Sequence, residues 1–199
     1  MNIGLIIAGG KGQRMNQDIP KQFLNVEDKP VIVYTLEAFQ NHPDIDEIAV
    51  VCLEGWHDIL RAYAKQFNIS KLNTIVGGGE NGQSSIRSGV YALKEKFSDD
   101  DIILVHDAIR PMVSAEIISD AIVTCKMKGN AISVIPCAEA MLKTEDRIES
   151  NTCVPRDKLM RTQTPQAFPL KKLVWAHKTA LEKGITDSVA SCTLMIELG

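Results

Sequence analysis

Short runs rich in β-branched residues alternate along the chain with longer stretches in which apolar side chains recur every three or four positions. The runs predict strands over 3–8, 47–53, 73–76, 101–106 and 131–136, and the longer stretches predict helices over 30–40, 56–67, 83–97 and 115–128. Strictly alternating strands and helices are the mark of an α/β fold, in which parallel strands are joined by helical crossovers. Pro30 is expected in a first helical turn, where its missing N–H does no harm, and Ser114 is expected to cap the helix that follows it. After Pro136 the rhythm changes. The stretch CAEAMLKTEDRIESNTCVPR carries no sustained helical period and reads as a hairpin-like excursion, which packs either on a second subunit or back on its own domain. Helical spacing returns over 168–183, and a last short helix is expected over 188–197.

In an open parallel sheet, ligands collect beyond the carboxyl ends of the strands, so the residues there carry the candidate chemistry. The first strand runs into AGGKGQRM, a glycine loop with Lys11 and Arg14, followed by Lys21 within PKQFL. Glycines let backbone N–H groups approach a ligand closely, and fixed cations beside them point to a phosphate. Neither common phosphate loop fits. A P-loop needs Ser or Thr after its lysine, where Gly12 stands, and a dinucleotide loop needs a third glycine where Met15 stands. An ordinary glycine-rich turn with solvated charges remains the alternative. The third strand runs into a second glycine loop, VGGGENGQSS, whose serines lead into a helix N-terminus suited to an anion or a polar base edge. The fourth ends in VHDAIRP. Asp107 there is a hard-oxygen ligand of the kind Mg²⁺ takes, or else a partner of Arg110 or a cap of the next helix. His106 is read as a packed histidine without chemistry.

Composition narrows the partners. The 199 residues form one expected domain, 1–199, with 45% hydrophobic and 24% charged residues and no run near the ~20 apolar residues of a membrane span. A net charge of −3 gives no general attraction to nucleic acid or an acidic membrane, so any polyanion site must be local. No basic segment or signal precedes the first strand, so a cytoplasmic protein is expected. The five cysteines show no metal-ligand or disulfide spacing and are expected to be reduced, mostly as small core residues.

In order and spacing, AGGKGQRM, PKQFL, GGGENGQSS, VHDAIRP and RTQTPQAF resemble the CTP-dependent polyol-phosphate cytidylyltransferases, which include the 2-C-methyl-D-erythritol 4-phosphate and ribitol-5-phosphate enzymes. The resemblance covers nearly the whole chain. It implies a Rossmann-like three-layer nucleotidyltransferase fold with a mostly parallel central sheet and a protruding β-arm at about 137–155. The implied reaction transfers CMP from CTP to a polyol phosphate, gives a CDP-polyol and pyrophosphate, and uses Mg²⁺. It implies that Ala8, Gly9, Gly10, Gly78 and Ser85 hold the nucleotide, that Arg14 and Lys21 stabilise the α-phosphate, and that Asp107 holds the metal. Arg110, Arg156, Thr164 and Thr186, the last beside Asp187, are implied at the acceptor, and the arm is implied to clasp a second copy in a homodimer. Three positions depart from the family pattern: Gly82 stands for an arginine, Glu139-Ala140 for Asp-Thr, and SVASC follows Thr186-Asp187 with altered spacing. The family pattern also continues past Gly199, so weak turnover with retained CTP binding is expected of this length of chain. A non-catalytic nucleotide-binding homologue is therefore the alternative, with an NAD(P)-dependent oxidoreductase as the more distant one. Trp56, and Glu139-Ala140, favour ribitol phosphate as acceptor.

Overall fold

The computed structural model describes residues 1–10 and 19–199. In chain order the elements are β1 (Asn2–Ala8), β2 (Asn25–Val26), β3 (Lys29–Pro30), α1 (Val31–Gln40), β4 (Glu47–Cys52), α2 (His57–Gln66), β5 (Leu72–Gly77), α3 (Gly82–Lys94), β6 (Ile102–Asp107), α4 (Ala115–Lys128), β7 (Ala131–Pro136), β8 (Met141–Lys143), β9 (Thr152–Val154), β10 (Met160–Pro169), α5 (Leu170–Glu182) and α6 (Ser191–Leu198). Six strands form one sheet in the order β5-β4-β1-β6-β10-β7. β5, β4, β1 and β6 run parallel, and β10 lies antiparallel to both β6 and β7.

Residues alternate across β1, and each face meets its own layer of helices. Ile6 joins α1, α2 and α4 side chains such as Leu36, Leu60 and Ile122 in one cluster. Ile3 and Leu5 join Val90 and Leu93 of α3 and Leu173 of α5 in the other. Burial of such side chains is worth about 1.5–3 kcal/mol each, which makes these two faces the main driving force for the fold. Two glycines let the layers close. A Cβ on Gly4 would come within 2.6 Å of the Phe39 ring, and one on Gly89 within 2.7 Å of Leu5 and Val51.

The expected strands and helices occur within a few residues of their predicted bounds. Pro30 precedes α1 as its cap instead of sitting in its first turn, and Ser114 caps α4 by accepting from the Ile117 N–H at 3.4 Å. One difference is larger. The segment 160–169 is a full strand, and it carries Phe168 and Pro169 out of the predicted helix, so α5 starts at Leu170. The reason is pairing: Phe168 and Ala167 lie opposite Ile103 and Leu104 of β6 and are buried, so the ladder overrides the local helical spacing.

The segment after β7 is a hairpin, β8 paired antiparallel with β9, and both strands are almost wholly exposed. Its turn is held by Asp146, which accepts from the N–H groups of Ile148 and Glu149 at 2.9 and 3.0 Å. Four of the five cysteines are buried and Cys153, on the hairpin, is exposed; all are free thiols. Among the described residues, no helix is long and apolar enough to cross a membrane.

Three histidines, His42, His106 and His177, are buried. His106 packs against Phe39 with ring centroids 5.2 Å apart, and burial pushes its pKa down to about 4. His177 on α5 is lowered to about 4 by burial, with Arg87 adding to the effect. Because both folded values lie below the ordinary 6.5, the unfolded chain binds more protons in the interval between. Stability is therefore complete above pH 6.5 and falls as the pH drops toward about 4. Urea midpoints measured across that window should decline, and His177→Gln should flatten the decline. Phe39→Ala, which empties a fully buried site, should lower unfolding free energy by about 3–5 kcal/mol without changing the urea m-value.

Candidate active site

The strand order turns back at β1: the chain passes from β1 to β4 and β5 on one side, then returns through β6 on the other. A crevice forms where such an order reverses, outside the carboxyl ends of the strands. Ala8 lies opposite Cys52, Cys52 lies opposite Gly77, and Ile7 lies opposite Asp107. Register alone thus brings the ends of β1, β4, β5 and β6 to one rim.

The two glycine loops touch across that rim. The Gly78 N–H donates to the Cys52 carbonyl at 3.1 Å, which lays the second loop over the end of β4 toward the first. A Cβ on Gly78 would stand 3.2 Å from the Gly9 Cα and 3.2 Å from the Ser85 hydroxyl oxygen. Only glycine gives this approach without displacement. Ser85 is buried and its oxygen accepts from the Gly79 N–H at 3.0 Å, which leaves its O–H proton to donate. Among the described residues, the N–H groups of Gly9 and Gly10 have no hydrogen-bond partner.

Beneath the first loop lies a one-turn 3-10 helix, Lys21–Phe23. Gln22 is buried there and donates from its amide to the carbonyls of Ala8 at 2.7 Å and Gly10 at 3.0 Å. Phe23 stacks on Trp56 with ring centroids 4.6 Å apart. Lys21, half-buried, is thereby placed beside the loop. Lys11 and Arg14 lie outside the described residues.

On the other flank, Asp107 closes β6. Its carboxylate accepts from Arg110 at 2.7 Å, and its N–H donates to the Thr164 hydroxyl at 3.3 Å. Arg110 also bonds Gln163, so β6 and β10 are tied at this point through the pair. This is the alternative reading of Asp107, an ion pair with Arg110, and it leaves the carboxylate 42% exposed at the rim. His106, read as a packed histidine, is fully buried, with Nε2 at 3.0 Å from the Arg110 carbonyl.

The loop after α5 is bound to the start of α3. Asn81 caps α3 by accepting from the Ser84 N–H at 2.9 Å and donates to the Thr186 carbonyl at 2.9 Å. Gln83, buried, donates to the Ile185 carbonyl and accepts from the Ser188 N–H, both at 2.7 Å. Thr186 is thus brought to the second glycine loop with its side chain exposed. Arg156 is not brought to the rim by its own bonds. It lies in a short 3-10 turn at the base of the hairpin and donates to the Ala138 carbonyl at 2.9 Å.

Of the residues named from the sequence and from the resemblance, Ala8, Gly9, Gly10, Lys21, Gly78, Ser85, Asp107, Arg110, Thr164 and Thr186 thus lie along this rim, while Arg156 does not. The sequence reading did not name Gln22, Asn81, Gln83 and Gln163, whose side chains brace the rim. The first of these was in view inside PKQFL, yet its spacing carries no sign of a buried amide.

The comparisons with known proteins agree with this geometry. The model of the IspD family, 2-C-methyl-D-erythritol 4-phosphate cytidylyltransferase, matches residues 3–196. A ribitol-5-phosphate cytidylyltransferase of Lacticaseibacillus paracasei is 40% identical over 201 residues, covering 100% of this chain and 86% of its own length. A 2-C-methyl-D-erythritol 4-phosphate cytidylyltransferase of Clostridium botulinum is 36% identical, covering 94% of this chain and 81% of its own. Among solved structures, the Thermus thermophilus 2-C-methyl-D-erythritol 4-phosphate cytidylyltransferase superposes with a TM-score of 0.72 at 26% identity, covering 96% of this chain and 82% of that one. A 4-diphosphocytidyl-2C-methyl-D-erythritol synthase gives 0.79 at 27% identity, covering 100% and 85%. Matched along almost its entire length in both sequence and backbone, the chain belongs to the IspD cytidylyltransferase family.

Proposed function

We propose that this protein transfers CMP from CTP to a polyol phosphate, releasing pyrophosphate, and that ribitol 5-phosphate is the acceptor. The observation that carries the reading is the meeting of two glycine loops, with N–H groups that have no partner among the described residues, beside Lys21 and Asp107 at the point where the strand order reverses. The greater identity to ribitol-5-phosphate enzymes, 40% and 39% against 36% for a methylerythritol-phosphate enzyme, supports the choice of acceptor.

In this reading the acceptor's phosphate oxygen attacks the α-phosphorus of CTP, a new P–O bond forms, and the bond to the pyrophosphate leaving group breaks. Such chemistry asks the protein for position and for neutralisation of spreading negative charge. The N–H groups of Gly9 and Gly10 meet the triphosphate, and Arg14 and Lys21 stabilise the α-phosphate oxygens as their charge grows. Gly78 and the free O–H of Ser85 meet the cytidine. Arg110, Thr164 and Thr186 orient the acceptor.

Asp107 would hold Mg²⁺. The fit is that of a magnesium rather than a caged metal: among the described residues no group of three or more His, Cys, Asp or Glu side chains gathers, while a single half-exposed carboxylate stands at the rim. Mg²⁺ characteristically takes one or two carboxylates and completes its shell with water and phosphate oxygens. When bound it would neutralise phosphate charge.

The hairpin is proposed to clasp a second copy. It exposes Met141, Leu142 and Ile148, and the face beside Arg110 exposes Ile109, Met112, Ile117 and Ile135 around a hollow of about 670 Å³. Apolar surface of this kind is covered in association, and the clasp would bring Arg156 to the neighbour's acceptor.

Pyrophosphate release measured with CTP and ribitol 5-phosphate, methylerythritol phosphate or glycerol phosphate tests the reading. Ribitol 5-phosphate should give the highest kcat/KM. CTP binding without release in every case would instead support the non-catalytic homologue. Lys21→Ala and Arg14→Ala should each lower kcat by about 10²- to 10³-fold with little change in melting temperature. Asp107→Asn should shift the Mg²⁺ titration to higher concentration.

A further inference from the structure

Gln22 is the one side chain among the described residues that hydrogen-bonds the first glycine loop. It is 1% exposed, and its amide nitrogen bridges the carbonyls of Ala8 and Gly10 at 2.7 and 3.0 Å. Both N–H donors of that amide are therefore used on the loop. In a trans peptide the C=O of one residue and the N–H of the next point in opposite directions. Drawing the Ala8 carbonyl inward toward Gln22 consequently turns the Gly9 N–H away from it. The Gly9 N–H has no other partner among the described residues.

The bridge also joins two parts of the site. Gln22 follows Lys21 in a single 3-10 turn, and Phe23 on its other side is fixed by its stack on Trp56. Whatever holds Gln22 to the loop therefore holds the Lys21 backbone at a set distance from the loop. Glycine loops have large conformational freedom, and without an internal bracket that freedom must be given up on each binding event.

We infer that Gln22 is a positioning residue for the nucleotide: its buried amide pre-sets the peptide planes of Ala8–Gly10 for a polyphosphate and ties Lys21 to them. This rests on the cytidylyltransferase reading above. Gln22 touches neither substrate, and it acts through the loop carbonyls.

Two nearly isosteric variants test it. Gln22→Met keeps the volume and removes both donors; Gln22→Glu keeps the shape and sets a carboxylate against two carbonyl oxygens. CTP binding is measured by titration calorimetry, and pyrophosphate release is measured with both substrates varied, at a temperature where every variant is folded. Gln22→Met should weaken CTP binding and lower kcat/KM for CTP by about ten- to hundredfold, with KM for the polyol phosphate unchanged. Gln22→Glu should be at least as impaired at about pH 8 and should recover relative to wild type as pH falls toward about 6, because burial raises a carboxyl pKa and the neutral acid can donate again. A side chain that only filled space would give no such recovery. CTP affinity in Gln22→Met within about twofold of wild type, even with a lowered melting temperature, overturns the inference. Wild-type protein that binds CTP but releases no pyrophosphate overturns the functional reading alone, while weakened binding in Gln22→Met would still uphold the bracket. Wild-type protein that does not bind CTP overturns both.

Discussion

The approach of Gly9 to Gly78 is the constraint on which the rim depends. These residues follow β1 and β5, which are not neighbours in the sheet, and the second loop must cross the end of β4 to reach the first. With a Cβ on Gly78 only 3.2 Å from the Gly9 Cα, any side chain there would push the loops apart. The gap between them would then widen, and Ser85, which lies against both, would lose its place. The proposed site for a polyanion is thus built mainly from main chain. That suits a chain with a net charge of −3, whose overall field does not attract phosphate.

A backbone site needs brackets, since glycine loops do not hold themselves. In this molecule the brackets are neutral amides and hydroxyls rather than ion pairs. Gln22 holds the first loop, Ser85 the second, and Asn81 with Gln83 holds the segment bearing Thr186. Buried amides cost little when all their bonds are made and a good deal when one is lost, so each bracket specifies a geometry more sharply than an apolar contact would. Charged brackets would carry a further penalty, because they would compete with the ligand for the cations of the site. The Asp107–Arg110 pair is the exception, and it stands at the exposed flank where solvent screens it.

The hairpin contrasts with the sheet it leaves. Its base is closed by the Cys137 N–H donating to the Leu159 carbonyl at 3.2 Å and by the Glu139–Arg161 pair at 2.7 Å, whereas among the described residues its tip is held by its own turn alone. The Glu139 position, where the family pattern has aspartate, is thus occupied in bracing the base of the arm. The apolar side chains that the hairpin exposes find no cover among the described residues.

Local chemistry in the sequence was enough to establish the alternation of strands and helices, the caps at Ser114 and Pro30 to within a residue, the glycine loops, and the acid at the end of β6. Each is written in neighbouring residues: β-branched runs, helical spacing, and glycine where backbone must come close. The strand β10 was not legible, because RTQTPQAFP has neither strand alternation nor a run of β-branched residues, and its conformation is set by partners in β6 and β7 far away in sequence. The same holds for Gln22 and Gln83, whose amides look like ordinary polar residues until the fold buries them against carbonyls. A sequence states which residues prefer burial and which backbone turns are permitted; which carbonyl a buried amide meets depends on contacts between distant segments, and only the tertiary structure decides those.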